Sequence, residues 1–185
     1  MVVAIAGPNG AGKSTFYETQ LKSAGLPFVN ADNLARQLDL NAYAAASAAD
    51  AIRRELMRQQ ESFVFETVFS DPVGEKVKFL QEMEEAEYSV VLCFIGISAA
   101  EISEMRVSMR VSKGGHDVPS DKLAARYPRT IENLKLAIRV LAEVWVYDND
   151  DLANPYRLVA RCEKGKVVKL ERPVPKWLRV LLPKS

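Results

Sequence analysis

Residues 2–15, VVAIAGPNGAGKST, decide the fold of this chain. The first part, VVAIA, is apolar throughout, which is typical of a strand buried on both faces of a parallel sheet. Gly7, Gly12, Lys13 and Ser14 then follow in the spacing G-x-x-x-x-G-K-S of loops that bind nucleotide phosphates between a strand and a helix. Kinases, transport ATPases and switch GTPases all use this loop. The motif predicts where phosphate binds and leaves the reaction open.

The loop supplies the donors that a polyphosphate needs. Its glycines let successive backbone N–H groups turn towards the anion, and the N-terminus of the following helix adds about half a positive charge. We expect Lys13 to reach the β- and γ-phosphates and the Ser14 hydroxyl to ligate Mg²⁺. The expected nucleotide-binding residues are Gly7, Pro8, Asn9, Gly10, Ala11, Gly12, Lys13, Ser14 and Thr15.

Composition narrows the class of partner. The 185 residues include 25 Lys and Arg against 24 Asp and Glu, so the basic surplus of a nucleic-acid-binding domain is missing. No apolar run reaches the roughly 20 residues that span a bilayer, and a loop beginning at Gly7 leaves no room for a signal peptide. Cys93 and Cys162 lie in apolar runs and predict buried thiols rather than a disulfide. We expect a cytoplasmic protein with neither a nucleic-acid nor a membrane partner.

Strand and helix signals alternate up to residue 149. Strands are predicted over 2–6, 28–30, 63–69, 88–97 and 144–149. Helices are predicted over 13–23, 33–60, from 71, over 98–111 and over 130–142. This alternation predicts a three-layer α/β P-loop NTPase fold with a mostly parallel sheet and residues 88–97 at its centre. Two further runs around Glu163–Gly165 predict a hairpin at the sheet edge.

Finer expectations concern domain organisation and helix faces. We expect a single domain over 1–185, with a lid over about 98–128 and a hairpin and tail over 156–185. In the tail, Trp177 and Leu178 lie on an amphipathic turn that favours docking on the domain over a membrane-surface role.

Asp71 followed by Pro72 predicts a helix N-cap. The expected buried stripes are Ala42, Ala46, Ala49, Ile52 and Leu56 in one helix, Val73, Val77, Leu80 and Met83 in the next, and Ile102, Met105 and Met109 in a third.

Asp32 directly follows the second predicted strand. Open α/β folds bind ligands at the carboxyl edge of their parallel strands, so Asp32 is placed to accept a proton from a substrate hydroxyl, as the base does in phosphoryl transfer. Alternatively, Asp32 caps a helix that begins at Asn33. The phosphate loop one strand away favours the base.

Glu66 interrupts an otherwise apolar strand in FVFETVF, residues 63–69. A buried carboxylate needs a partner, here Mg²⁺-bound water, a substrate hydroxyl or an arginine, and Thr67 offers a second polar contact to an acceptor. The alternative is a solvated charge on the rim of the sheet.

Arg106 and Arg110 are four residues apart on one predicted helix, and Arg126 follows the glycines of GGHDVP. Arginines that clamp a transferring phosphoryl group are often delivered by lids. We therefore expect Arg110 and Arg126 to be catalytic and Arg106 to contact substrate. His116 on the lid is expected to make a local hydrogen bond rather than to act as a catalyst.

A family resemblance rests on motifs over roughly residues 1–145. They are GPNGAGKST, NAD at 30–32, FET at 65–67, RVSMR, GGHDVP and RYPRTIENL. Together they resemble the zeta-toxin-like kinases, in the short branch often labelled as ATPases. The resemblance implies an adenylate-kinase-like P-loop fold that uses ATP and Mg²⁺. In zeta toxins the acceptor is a sugar hydroxyl of UDP-N-acetylglucosamine.

The resemblance also implies roles for single residues. Matched to the family, Lys13, Asp32, Arg110 and Arg126 are catalytic, and Asp32, Glu66 and Thr67 line the acceptor pocket. This chain has Val68 where the zeta pattern has an arginine after its Glu and Thr, so the resemblance identifies the nucleotide more closely than the acceptor.

Two functions remain open. The first is a small-molecule kinase whose acceptor is a nucleotide sugar or another alcohol. The second is a nucleotide-dependent module that closes on ATP and acts through a protein partner such as an antitoxin. A transport ATPase is disfavoured, because the chain lacks an LSGGQ-like signature and the strand at 88–97 does not end in an acid.

Overall fold

The computed structural model describes residues 1–112 and 119–183, apart from the side chain of Arg110. The strands are β1 (Val2–Ala6), β2 (Phe28–Val29), β3 (Phe63–Thr67), β4 (Val90–Gly96), β5 (Val144–Asp148), β6 (Arg157–Glu163) and β7 (Lys166–Leu170). The helices are α1 (Lys13–Phe16), α2 (Ala31–Leu38), α3 (Ala42–Arg58), α4 (Glu75–Glu85), α5 (Ala100–Val111), α6 (Ser120–Val140) and α7 (Lys176–Arg179). Helix α1 continues through a π-helical turn, Tyr17–Leu21, and a 3-10 turn, Lys22–Ala24.

All the strands belong to one sheet, in the order β2-β3-β1-β4-β5-β6-β7. The strands from β2 to β5 are parallel, and β6 and β7 are antiparallel to their neighbours. β1 is buried along its whole length, as its unbroken apolar sequence predicts. The α/β fold, the central β4 and the C-terminal edge hairpin are therefore as predicted from the sequence.

The core lies on both faces of the sheet. On one face, alternate residues of the strands pack against Val77, Leu80 and Met83 of α4 and against α6 and α7. On the other face, Ile5 and its neighbours pack against Phe16 of α1. Three layers follow from this alternation, because the side chains of a strand point to opposite faces in turn.

The buried cysteines and the C-terminal turn also follow the sequence predictions. Cys93 and Cys162 are buried free thiols, and burial raises the pKa of Cys93 to about 12. Trp177 and Leu178 are buried where α7 docks on the domain. Within residues 1–112 and 119–183, no helix combines the length and apolar character needed to cross a membrane.

The long helix predicted over 33–60 is wrong. It is divided into α2 and α3 at Asp39, which adopts a left-handed conformation with φ of 52° and ends α2. The face that α3 buries carries Ala45, Ala49 and Arg53, whereas Ile52 of the predicted stripe is exposed. The buried face of α3 was predicted from its apolar residues alone, but the face that is actually buried includes Arg53.

The predicted starts of two later helices are also wrong. Asp71 is not the N-cap, since α4 begins after Gly74, although the Asp71 carboxylate accepts a hydrogen bond from the backbone N–H of Glu75 at 2.5 Å. Val73 of the predicted stripe is exposed. Helix α6 begins at Ser120 rather than near 130 and runs through Pro128. Buried contacts on both sides of the proline, such as Leu123 and Leu134, offset the helix hydrogen bond that proline cannot make.

Candidate active site

The phosphate-binding loop lies between β1 and α1, and its glycines have structural causes. A Cβ on Gly7 would lie 2.2 Å from the carbonyl oxygen of Ile95, so only glycine lets the loop pass this close to β4. Gly12, with φ of 90°, is the N-cap of α1, and a Cβ there would lie 2.8 Å from the Asn149 amide nitrogen. The loop is therefore held tightly against neighbouring strands before any ligand binds.

Side chains from distant parts of the chain hold the carbonyls of this loop. Asn149 donates its amide N–H to the carbonyl of Ala11 at 2.8 Å, and the Tyr156 hydroxyl donates to the carbonyl of Gly12 at 3.0 Å. Ser103 of α5 donates to the carbonyl of Asn9 at 2.7 Å. Because these carbonyls are occupied elsewhere, the loop can present its N–H groups to an anion.

The sequence analysis missed these three supporting residues. Each contact spans at least 94 positions of the chain, which no local motif reveals. The one available signal is that Asn149 follows β5 directly, at the same carboxyl edge as the loop.

Lys13 is buried, with 6% of its surface exposed, and its ammonium group donates to the carbonyl of Pro8 at 3.0 Å. The same group lies 3.8 Å from one carboxylate oxygen of Glu66. Register explains the proximity, because Glu66 of β3 lies beside Ile5 of β1, two residues before the loop begins.

The other oxygen of Glu66 accepts two hydrogen bonds. The Ser14 hydroxyl donates at 2.8 Å and the Asn30 amide donates at 2.7 Å. The Glu66 side chain is only 11% exposed. The alternative of a solvated rim charge is therefore wrong, and the partners are a hydroxyl, an amide and an ammonium group rather than an arginine.

The Ser14 and Glu66 pair suits Mg²⁺. A hydroxyl and a carboxylate 2.8 Å apart at the start of α1 are the oxygen donors that this ion prefers. Mg²⁺ retains several waters and shares its shell with substrate phosphates, so two protein donors beside a phosphate loop fit its chemistry.

Asp32 lies in the first turn of α2 and is exposed. The cap of this helix is Asn30, whose side-chain oxygen accepts from the N–H of Asn33 at 3.0 Å. The capping interpretation of Asp32 is therefore wrong, because α2 begins at Ala31 and another residue caps it.

An open cavity of about 320 Å³ lies at the carboxyl ends of β2 and β3. Four residues singled out from the sequence line this cavity: Asp32, Glu66, Thr67 and Arg126. Four charged residues that were not predicted as site residues line it as well: Asp50, Arg53, Asp71 and Lys76. Asp50 and Arg53 were missed because the face of α3 was misassigned, although their spacing of three residues puts them on one side of a helix.

The structure does not bring Arg106 to this cavity. Its guanidinium donates to the carbonyls of Asn149 and Asp150 at 2.9 and 3.0 Å, beside the phosphate loop. Helix α5 buries Ser103 and Val107, whereas Met105 and Met109 of the predicted stripe are exposed and Ile102 is half-buried against the core. Arg106 consequently faces the end of β5. The prediction that Arg106 contacts substrate stays a prediction, with its guanidinium beside the phosphate loop rather than at the cavity.

The remaining predicted residues are placed as follows. Ser14 and Thr15 lie in α1, and Thr67 ends β3 with its hydroxyl oxygen accepting from the N–H of Phe69 at 3.3 Å. The backbone of Arg110 lies in α5, and its side chain is outside the described part of the structure. The lid residues Gly114, Gly115 and His116 also lie outside the described residues. Arg126 lies on α6, not on a loop.

Fold and site together define a P-loop domain with a kinase-like α/β architecture. The chain belongs to the AAA_33 family, whose model carries the description AAA domain and matches residues 2–130. A relative described as an uncharacterized protein of Haemophilus influenzae is 27% identical over 126 residues, which cover 65% of this chain and 88% of the relative.

Solved structures share the fold at low sequence identity. A chain of the AvrRxo1-ORF1:AvrRxo1-ORF2 complex matches with a TM-score of 0.67 and 19% identity over 94% of this chain. This chain spans only 61% of that longer chain. A chain from the PezAT toxin–antitoxin system of Streptococcus pneumoniae matches with a TM-score of 0.61 and 16% identity, over 87% of this chain and 71% of its own. A gluconokinase from Sinorhizobium meliloti matches with a TM-score of 0.52 and 19% identity, over 84% of each chain.

Proposed function

We propose that this protein is a small-molecule kinase that transfers the γ-phosphate of ATP to a hydroxyl of an acceptor held in the cavity of about 320 Å³. One observation carries the proposal: Glu66 lines this cavity and also contacts Lys13 and Ser14 of the phosphate loop. A nucleotide on the loop and an acceptor in the cavity would therefore be neighbours, which is what a direct transfer requires.

On the donor side, the loop residues 7–15 bind the phosphates of ATP. Lys13 neutralises charge on the β- and γ-phosphates, and α1 presents its N-terminus to them. Ser14 and Glu66 would hold Mg²⁺, which when bound screens the charge of the phosphates. One of the AvrRxo1-ORF1:-ORF2 structures is described as containing ATP, which supports the choice of nucleotide through the shared fold.

On the acceptor side, the Asp32 carboxylate accepts the proton of the attacking hydroxyl. Its exposed position on the cavity wall leaves it accessible to an acceptor. Arg126 enters the same cavity from α6 and stabilises charge on the phosphoryl group in flight, together with Arg110. A nucleotide sugar such as UDP-N-acetylglucosamine is one candidate acceptor, from the zeta-toxin resemblance, and a sugar acid is another, from the gluconokinase fold.

Radiolabelled ATP incubated with a cellular small-molecule extract tests the proposal. We expect a new labelled small molecule with the unaltered protein and none with Lys13→Ala or Asp32→Asn. Asp39→Asn, at the end of the same helix α2 and outside the cavity, is the matched control and should retain transfer. Full transfer by either of the first two variants would overturn these roles.

The same experiment tests the second candidate function, a nucleotide-dependent module that acts through a protein partner. This candidate draws support from the fold shared with a toxin–antitoxin system and with a two-protein complex. Such a module binds ATP through the loop but yields no labelled small molecule. ATP binding without transfer, together with retention of an antitoxin-like partner only when ATP is present, would favour the module over the kinase.

A further inference from the structure

The part of the cavity wall that α3 forms carries a buried arginine. Arg53, on the core-facing side of α3, is only 5% exposed. The carbon at the centre of its guanidinium lies 5.0 Å from the ring centre of Phe65 and 5.9 Å from that of Phe79. Aromatic faces attract a cation, but they do not replace the hydrogen bonds that its N–H groups lose on leaving water.

The hydrogen bonding of Arg53 is incomplete. One terminal nitrogen pairs with the Asp50 carboxylate, while the buried Nε has no hydrogen-bond partner in the described part of the structure. The same Asp50 oxygen also pairs with the ammonium group of Lys76 at 3.4 Å. One half-exposed carboxylate is thus shared by two cations.

The other carboxylates that line the cavity are Asp32, Glu66 and Asp71, and within residues 1–112 and 119–183 no ion pair joins any of them to Arg53 or Lys76. Asp71 is engaged by the N–H groups of Glu75 and Lys76 and by the side chain of Asn133. Glu66 is engaged by the phosphate loop. Burial lowers the pKa of the Arg53 guanidinium, against the opposing effect of Asp50.

We propose that Arg53 and Lys76 form a subsite for an anionic group of the acceptor, a phosphate or a carboxylate, and that Asp50 competes with this group for both cations. A guanidinium fork matches either anion with two parallel hydrogen bonds. The assignment of the anion to the acceptor rests on the proposed kinase function, whereas anion binding itself does not.

Calorimetric titration tests the subsite directly. The protein is first saturated with Mg²⁺ and a non-hydrolysable ATP analogue, so that the loop is filled, and is then titrated with inorganic phosphate and separately with acetate. We expect saturable binding of at least one anion, and the tighter of the two identifies the chemical source. Arg53→Met should weaken this binding about 30-fold or more, as for loss of a buried charged partner.

Three further variants separate binding from structural support. Lys76→Met, at a more exposed position, should also weaken binding. Asp50→Asn should tighten binding several-fold, because it removes the competing carboxylate. If the pair of Asp50 and Arg53 were purely structural, Asp50→Asn would not increase the affinity for the anion. Arg54→Met is the matched control, since Arg54 also lies over Phe79, at 5.3 Å, but lines a different surface hollow. Absence of binding, or equal affinities in all four variants, would overturn the subsite.

A second experiment asks whether the acceptor itself is the anion. A cellular extract is passed through an anion-exchange resin, and the neutral flow-through and the anionic eluate are each supplied with labelled ATP. We expect transfer only with the eluate, and a Km for its acceptor that rises in Arg53→Met more than kcat falls. Transfer confined to the flow-through would overturn the subsite and leave the kinase intact. Anion binding without phosphate transfer to a molecule of either fraction would instead overturn the proposed kinase function and support the anion subsite.

Discussion

The two halves of the candidate site are built differently. The phosphate loop is one continuous segment whose carbonyls are tied by Asn149, Tyr156 and Ser103, so its geometry is fixed largely by backbone. The proposed acceptor cavity is assembled from side chains of α2, α3, β3, α4 and α6, and some of its charges pair with one another. A backbone site imposes one ligand chemistry, whereas a side-chain site can change its ligand through single substitutions.

Lys13→Ala should produce the largest loss, because it removes the buried cation of the backbone half. We expect phosphate transfer to fall by about 10³-fold, measured as kcat/Km with labelled ATP. Lys22→Ala, a lysine of the following 3-10 turn that pairs with Glu18, is the control and should leave transfer unchanged. A loss of less than tenfold in Lys13→Ala would mean that the loop binds nucleotide without activating it.

Asp32→Asn should separate the halves. We expect kcat to fall by about 10²- to 10³-fold, since the general base is lost, while the affinity for an ATP analogue stays within about twofold. Transfer kinetics and calorimetry on the same preparation measure both quantities. A parallel loss of ATP affinity would contradict the assignment of Asp32 to the acceptor half.

Glu66→Gln tests the residue that both halves share. The amide keeps the shape but loses the charge that faces Ser14 and Lys13. We expect a higher Mg²⁺ concentration for half-maximal transfer and a loss of about tenfold at saturation. An unchanged Mg²⁺ requirement would leave Glu66 as a structural partner of Asn30 and Ser14 only.

Asn149→Ala tests whether a side chain from outside the phosphate loop holds the loop in place. The substitution leaves the buried carbonyl of Ala11 without its donor, which costs about 1–3 kcal/mol of unfolding free energy. Urea unfolding measures this loss, and affinity for an ATP analogue should fall with it. Asn154→Ala, at an exposed position in the same connection, is the control.

The smallest effect is expected for alkaline pH, which should change the stability of the protein through Tyr156. Burial raises the pKa of Tyr156, whose protonated hydroxyl donates to Gly12. Because the folded pKa lies above the unfolded value near 10, this contribution to stability is complete below about pH 10 and disappears as pH rises through the raised pKa. The melting temperatures of the unaltered protein and Tyr156→Phe should therefore differ at neutral pH and converge above pH 10. A difference that persists at high pH would contradict this role.

The sequence predicted the two halves unequally, for a physical reason. The loop, the alternation of strands and helices along the chain and the central β4 follow from local patterns, because a glycine-rich turn and apolar runs are determined by their own residues. Asp32 was placed at the carboxyl edge of the sheet because it follows the second predicted strand, and Glu66 was chosen as a carboxylate within an apolar strand; in the structure Glu66 and Thr67 are the last two residues of β3. The partners of Glu66 could not be predicted, since Ser14 and Asn30 meet it only through the parallel pairing of separate strands.

Where sequence reasoning went wrong, tertiary contacts had overridden local preference. Arg53 is buried although it lies outside the predicted apolar stripe, because it packs on two phenylalanine rings and pairs with Asp50. Pro128 does not end its helix, because the residues around it pack into the core. Met105 and Met109 of the predicted stripe are exposed because Ser103 and Val107 lie on the buried face of α5.

Gly96, at the end of β4, is a point where the last part of the chain packs on the central strand. A Cβ at Gly96 would lie 2.2 Å from the Trp177 ring, so only glycine lets the indole pack directly against the end of β4. Asn149, Tyr156 and Trp177 all follow residue 130, where the match to the family ends. Two of the three side chains that hold the loop carbonyls, Asn149 and Tyr156, therefore lie outside the segment by which the family is recognised.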